Sequence, residues 1–179
     1  MNTNATGKLP LGWLVTLSLT AMLLGTLPAF AAETNTAATA VPQPRAITDT
    51  MSCAACGMYP HRYPKWQAQV IFTDGTMAPF DGGKCLFRFL FNIPKFAPGH
   101  TPEQVAAVWV RDFNSGKWID GKAAHYVVGS KEMGPMGKEL IPFASRASAE
   151  EFRKANGGTI DTFANISMAT IKPLMGKMH

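Results

Sequence analysis

The sequence predicts an α+β fold built from two small tandem strand–strand–helix–strand (ββαβ) units. Short β-branched and aromatic runs, such as Gln67–Phe72, are closed by turn signals such as Asp74-Gly75. Two helical patterns, Lys84–Phe91 and Ser148–Ala155, each begin shortly after a strand that ends in Phe, at Phe80 and Phe143. The order strand, strand, helix, strand therefore occurs twice along the chain.

The first unit is expected over residues 51–116. Gln67–Phe72 and Thr76–Phe80 form a hairpin across Asp74-Gly75. Asp81-Gly82-Gly83 opens a helix in which Leu86, Phe87, Leu90 and Phe91 recur at helical spacing, with Asp81 as a suitable cap. Pro94 and Pro98 end that helix, and Gln104–Phe113 is the returning strand, with Asn114-Ser115-Gly116 as its turn. The second unit is expected over residues 117–171. It comprises strands Ala124–Val128 and Glu139–Phe143, a helix capped by Ser148 and stopped at Asn156-Gly157-Gly158, and a last strand Thr159–Ile166. Trp66, Trp109 and Trp118 read as core, and Cys85 as a small buried hydrophobe beside Leu86 and Phe87.

The flanks read differently. Lys8, the apolar run Leu11–Leu27, the breakers Gly25 and Pro28, and the small residues of Ala29-Phe30-Ala31 together make residues 1–31 a secretory signal peptide. No Cys follows that run to carry a lipid, and no Arg pair precedes it. The expected location is the periplasm, with no stable membrane span after cleavage. Residues 32–50, mostly Ala, Thr, Pro and Gln, read as a flexible linker, and residues 172–179 as a flexible tail carrying Met175, Met178 and His179. Loss of Lys8 with the leader takes the net charge from +5 to +4, spread without a basic block, which excludes a nucleic-acid footprint.

The chemistry concentrates at Met51-Ser52-Cys53-Ala54-Ala55-Cys56-Gly57-Met58, in a chain with three cysteines and ten methionines. Thiolate and thioether sulfur select Cu(I) over harder cations. A methionine ligand needs no deprotonation and forms no disulfide, which suits an oxidising compartment. Gly57 lets the backbone turn so that both flanking sulfurs face one ion. An alternative is an exported thiol–disulfide redox protein using Cys53 and Cys56. Such a protein places its first thiol at a helix N-terminus, which Gly57, Pro60 and Pro64 oppose here. A structural disulfide is a further alternative. Zinc is disfavoured because a closed site wants four ligands, and Cys85, His61 and His125 stand apart in sequence.

Several blocks occur in an order similar to the NosL family. They are Cys56-Gly57-Met58, Ala68-Gln69-Val70 running into Asp74-Gly75, Phe80-Asp81 and Lys84-Cys85. Val110-Arg111-Asp112-Phe113, Trp118-Ile119-Asp120, Tyr126–Ser130, Gly134-Pro135-Met136-Gly137 and Pro142-Phe143-Ala144 continue the match, which covers roughly residues 51–160. The resemblance implies a fold similar to that of organomercurial lyase. It also implies a non-enzymatic periplasmic Cu(I) chaperone serving apo nitrous oxide reductase or another cuproenzyme, with a membrane copper exporter as donor. By position it implies Cys56, Met58 and Met136 as metal ligands, with Cys53 and Met133 of second rank. Where relatives carry an Asp pair after the Phe, this chain has Asp81-Gly82.

Overall fold

A computed structural model describes residues 40–176, so the signal-peptide reading lies outside the described residues, as do Met178 and His179. The architecture is α+β. A first antiparallel sheet has the order β2-β1-β3-β4, from β1 (Ala68–Phe72), β2 (Met77–Phe80), β3 (Val105–Arg111) and β4 (Trp118–Asp120). A second has the order β6-β5-β7, from β5 (His125–Gly134), β6 (Gly137–Phe143) and β7 (Thr159–Thr162). Helix α1 (Gly83–Leu90) follows β2, the short helix α2 (Ile93–Phe96) follows α1, α3 (Arg146–Asn156) follows β6, and α4 (Met168–Ile171) comes after β7. Among the described residues, no helix is long and apolar enough to cross a membrane.

The β1–β2 hairpin forms where Asp74-Gly75 permits a tight turn: Asp74 Oδ1 accepts the Thr76 N–H at 2.8 Å. Every residue of β1 is buried, and so is Gln67 just before it. The Gln69 side chain accepts the Arg45 N–H at 3.0 Å and donates to the Arg45 carbonyl at 2.9 Å. Gln67 donates to the Pro60 carbonyl and accepts from Arg111 Nη2. With Trp109 Nε1 donating to the Pro42 carbonyl at 2.8 Å, residues 42–45 lie along the sheet. The end of the expected linker is thus anchored, because the buried Gln69 amide and the Trp109 indole N–H find their backbone partners there.

Helix α1 touches β1 and β2 of the first sheet and β6 of the second. Its Leu86, Phe87 and Phe89 join Val70, Phe80, Tyr126 and Leu140 in one core that includes Cys53 and Cys85. Phe113, Phe143 and Phe152 anchor a smaller cluster under α3. Gly82 and Gly83 allow the close contact of α1 with β6. A Cβ on Gly82 would meet the Glu139 carboxylate at 2.8 Å, and one on Gly83 would strike the Leu140 carbonyl oxygen.

Four details differ from the sequence reading. The first sheet runs on through β4, past the boundary expected at residue 116, because Trp118 and Ile119 pair with Arg111 and Val110. Helix α3 starts one turn early, capped by Ser145, whose Oγ accepts the Ser148 N–H. The tryptophans are half-buried at the margin of the core: Trp66 meets Phe113 edge-on and Trp118 lies under the Arg111 guanidinium. The first part of the expected tail folds as a 3-10 turn over Lys172–Leu174, with Leu174 and Met175 packed on the core.

Strand β5 carries an irregularity that matters for the site. Val128 pairs with Leu140 and Met133 with Lys138, so β5 spends five steps where β6 spends two. The excess residues bend the hairpin. Lys138 Nζ donates to the carbonyls of Gly129 and Ser130, which the bulge leaves without ladder partners.

Candidate metal centre

Cys53 opens a turn over residues 54–56. Its N–H donates to the Met58 carbonyl at 2.6 Å, and its carbonyl accepts the Gly57 N–H at 2.9 Å. Gly57 takes φ +80°, a left-handed conformation that glycine adopts without strain. The Ala54 N–H donates to the Pro79 carbonyl at 3.0 Å, tying the turn to β2 just before Asp81. No helix starts at Cys53, as the prolines require. All three cysteines are free thiols.

This turn meets the start of α1. Ligand atoms of Cys53, Cys56, Asp81 and Cys85 all lie within 4.8 Å of one another. Four donors at about 2.3 Å from one tetrahedral ion would stand roughly 3.8 Å apart, so modest side-chain rotation closes the group. Cys53, Asp81 and Cys85 are buried, while Cys56 is partly open to solvent. An ion held here is reached from the Cys56 side.

The site corrects three readings. Cys85 is buried as expected, yet it faces the cysteine loop rather than serving only as core. Asp81 is not the cap of α1: Gly82 occupies that position without a side-chain cap bond, and Asp81 instead lies 3.4 and 3.5 Å, through its two oxygens, from Cys56 Sγ. The ground for setting zinc aside also falls, since a fourth donor and a third cysteine do converge. One signal was available. Asp81 and Cys85 stand four residues apart across a helix start and so share a face.

The electrostatics single out Cys56. Hydrogen bonds from the Cys53 and Cys85 thiols, helped by the Met58 N–H, push it down to about 4 against burial and the Asp81 charge. Burial, then the charge of Cys53, pushes Asp81 up. Cys85 is pushed up by its hydrogen bonds to Cys53 and Cys56 and by burial. Cys56 is thus held toward its ionised form, while Asp81 and Cys85 are held toward their protonated forms. A soft cation displaces those protons.

The methionines expected as ligands belong to two segments, the cysteine loop and the β5–β6 hairpin. Met58 follows directly on the loop and is half-buried. Met136 sits in the β5–β6 turn, 44% exposed, and its carbonyl accepts from Lys84 Nζ at 2.6 Å, one residue from Cys85. Met133, at 57% exposure, is on the same hairpin. The hairpin backbone is thus brought to the first turn of α1.

Behind the cluster, Glu139 is buried beside Lys84, its Oε2 accepting the Lys84 N–H at 2.8 Å. Burial pushes Glu139 up to about 7 from an ordinary 4.5, Lys84 opposing and Asp81 adding to the shift. Between those two values the folded protein holds a proton that the unfolded chain has released. This group therefore makes folding less favourable as pH rises from 4.5 to 7. Urea unfolding of Glu139→Gln across that window should show a more positive slope of stability with pH than the parent. Equal slopes would mean that Glu139 titrates normally.

The NosL family profile matches residues 44–171. The copper-binding lipoprotein NosL of Achromobacter cycloclastes is 34% identical over 130 residues, a match covering 65% of this chain and 63% of that protein. The chain thus spans somewhat under two thirds of that relative. The copper-binding lipoprotein NosL of Stutzerimonas stutzeri is 26% identical over 139 residues, covering 76% of this chain and 73% of the relative. The crystal structure of the copper chaperone NosL from Shewanella denitrificans superposes with a TM-score of 0.62 at 29% identity, covering 71% of this chain and 97% of that one.

Proposed function

Since the chain belongs to the NosL family, we propose that it binds Cu(I) in the bacterial periplasm and hands it to another protein without catalysing a reaction. The observation that carries this reading is the convergence of three cysteine sulfurs and Asp81, with Cys56 held toward its thiolate and partly open to solvent. Soft sulfur donors favour Cu(I), and a few ligands reached from one side favour transfer over storage.

In this reading Cys56 is the anchoring ligand, with Met58 and Met136 as neutral thioether ligands that a recipient displaces. Cys53 and Cys85 adjoin the anchor from within, and Met133 is an outer candidate. The copper is cargo. The recipient is apo nitrous oxide reductase or a related cuproenzyme, and the donor a membrane copper exporter.

Anaerobic titration of the reduced protein with Cu(I) in competition with bicinchoninate tests the reading. Tight equimolar binding, weakened in Met58→Ala and in Met136→Ala, is the expected result. Absence of tight binding to the reduced protein would leave a thiol–disulfide role for Cys53 and Cys56 as the better account. Transfer is tested separately, by recovery of copper in purified apo nitrous oxide reductase.

A further inference from the structure

Lys84 is only 5% exposed, and its ammonium is spent on backbone carbonyls. It donates to the backbone carbonyls of Met136 at 2.6 Å, Lys138 at 3.0 Å and Leu174 at 3.1 Å. An ammonium has three protons, so all three go to carbonyls, in two segments far apart in sequence. Glu139 Oε1 lies 4.0 Å away, and Glu139 Oε2 holds the Lys84 backbone N–H. Burying this charge is unfavourable unless every donor is matched, and an apolar side chain would fill the space without that cost.

What an apolar side chain would not do is tie together two backbone segments that share no ladder with each other. One is the β5–β6 turn, beyond the bulge that loosens it from the sheet. The other is the 3-10 turn over Lys172–Leu174. Lys84 directly precedes Cys85, so the helical turn that supplies a cluster thiol also carries this clasp. We propose that Lys84 is a positioning residue that sets the Met136-bearing hairpin tip against the cysteine cluster, so that thioether and thiolates reach one metal ion. The inference rests on Met136 being a copper ligand.

The test is a cycle of three variants of the full chain, Lys84→Met, Met136→Ala and the double, each checked for folding by circular dichroism and loaded anaerobically with Cu(I). Each single change should lower Cu(I) affinity about tenfold, and the double no further, because the clasp acts only through Met136. Copper-edge X-ray absorption should lose the same single sulfur in all three, a signature that general loosening of the fold would not produce. Additive losses, or parental affinity and sulfur count in Lys84→Met, would overturn the clasp. A Met136→Ala variant that binds as the parent does would instead refute the ligand assignment, and the clasp with it.

Should Lys84→Met fail to fold, hydrogen exchange on the parent decides. Cu(I) should slow amide exchange both at the β5–β6 turn and at residues 172–175, since one ammonium holds both. Protection confined to the cysteine loop would overturn the proposal.

Discussion

Replacing Cys56 by Ser is expected to lower Cu(I) affinity on the order of a hundredfold, about 2.7 kcal/mol. The substitution removes the thiolate that the other cluster groups are arranged to stabilise. Cys53 and Cys85 remain, but both are buried, where an ion is reached less readily than at the partly open Cys56. Serine is nearly isosteric and keeps a hydrogen-bonding group toward Asp81, so the fold should survive. The measurement is competition with bicinchoninate at fixed pH, alongside ultraviolet thiolate absorbance of the metal-free protein. In the parent that absorbance should persist well below neutral pH; in Cys56→Ser it should vanish there. Parental affinity in the variant would show that the ion is held elsewhere.

The second large effect concerns the backbone. Gly83→Ala should destabilise the protein by about 1–3 kcal/mol, the usual range for forcing extra volume into a packed interior. The sign is the diagnostic part. A glycine in a helix replaced by alanine ordinarily gains roughly 0.5–1 kcal/mol. Here the added methyl would collide with the Leu140 carbonyl oxygen, backbone that cannot rotate aside as a side chain would. Relief requires α1 to withdraw from β6, which stretches the bond from the Lys84 N–H to Glu139. Urea unfolding decides: a midpoint equal to or above the parent's would mean that the contact relaxes at little cost.

Local chemistry made most of the elements legible. Asp74-Gly75 marks the β1–β2 hairpin, the apolar spacing of Leu86, Phe87 and Leu90 marks α1, and Gly157 marks the end of α3. Errors arose where the deciding partner lies far along the chain. The strap at residues 42–45 is ordered by Gln69 and Trp109, and the 3-10 turn at Lys172–Leu174 by Lys84. Composition alone reads both as loose. The start of α3 is ambiguous in sequence because Ser145 and Ser148 both suit a cap, and only the bond from the Ser148 N–H to Ser145 Oγ decides between them.

The candidate site divides in the same way. Cys53, Cys56 and Met58 are adjacent in sequence and announce themselves. Cys85 and Asp81 reach that loop only because β2 brings the start of α1 back beside it, through the bond from Ala54 to Pro79. An apolar helix gives a cysteine every appearance of packing, and an aspartate before a helix every appearance of capping. Neither residue type betrays the third direction from which it is approached.

The unequal strand lengths at the β5 bulge have a kinetic consequence. Beyond the bulge the turn bearing Met136 ends a two-stranded arm, whose pairs Met133–Lys138 and Gly134–Gly137 are no longer flanked by β7. Swinging it outward requires no strand to separate, so its motion belongs to the nanosecond-to-microsecond class of loops rather than to local unfolding. A ligand mounted there could let go of its ion and return many times within one encounter between two proteins.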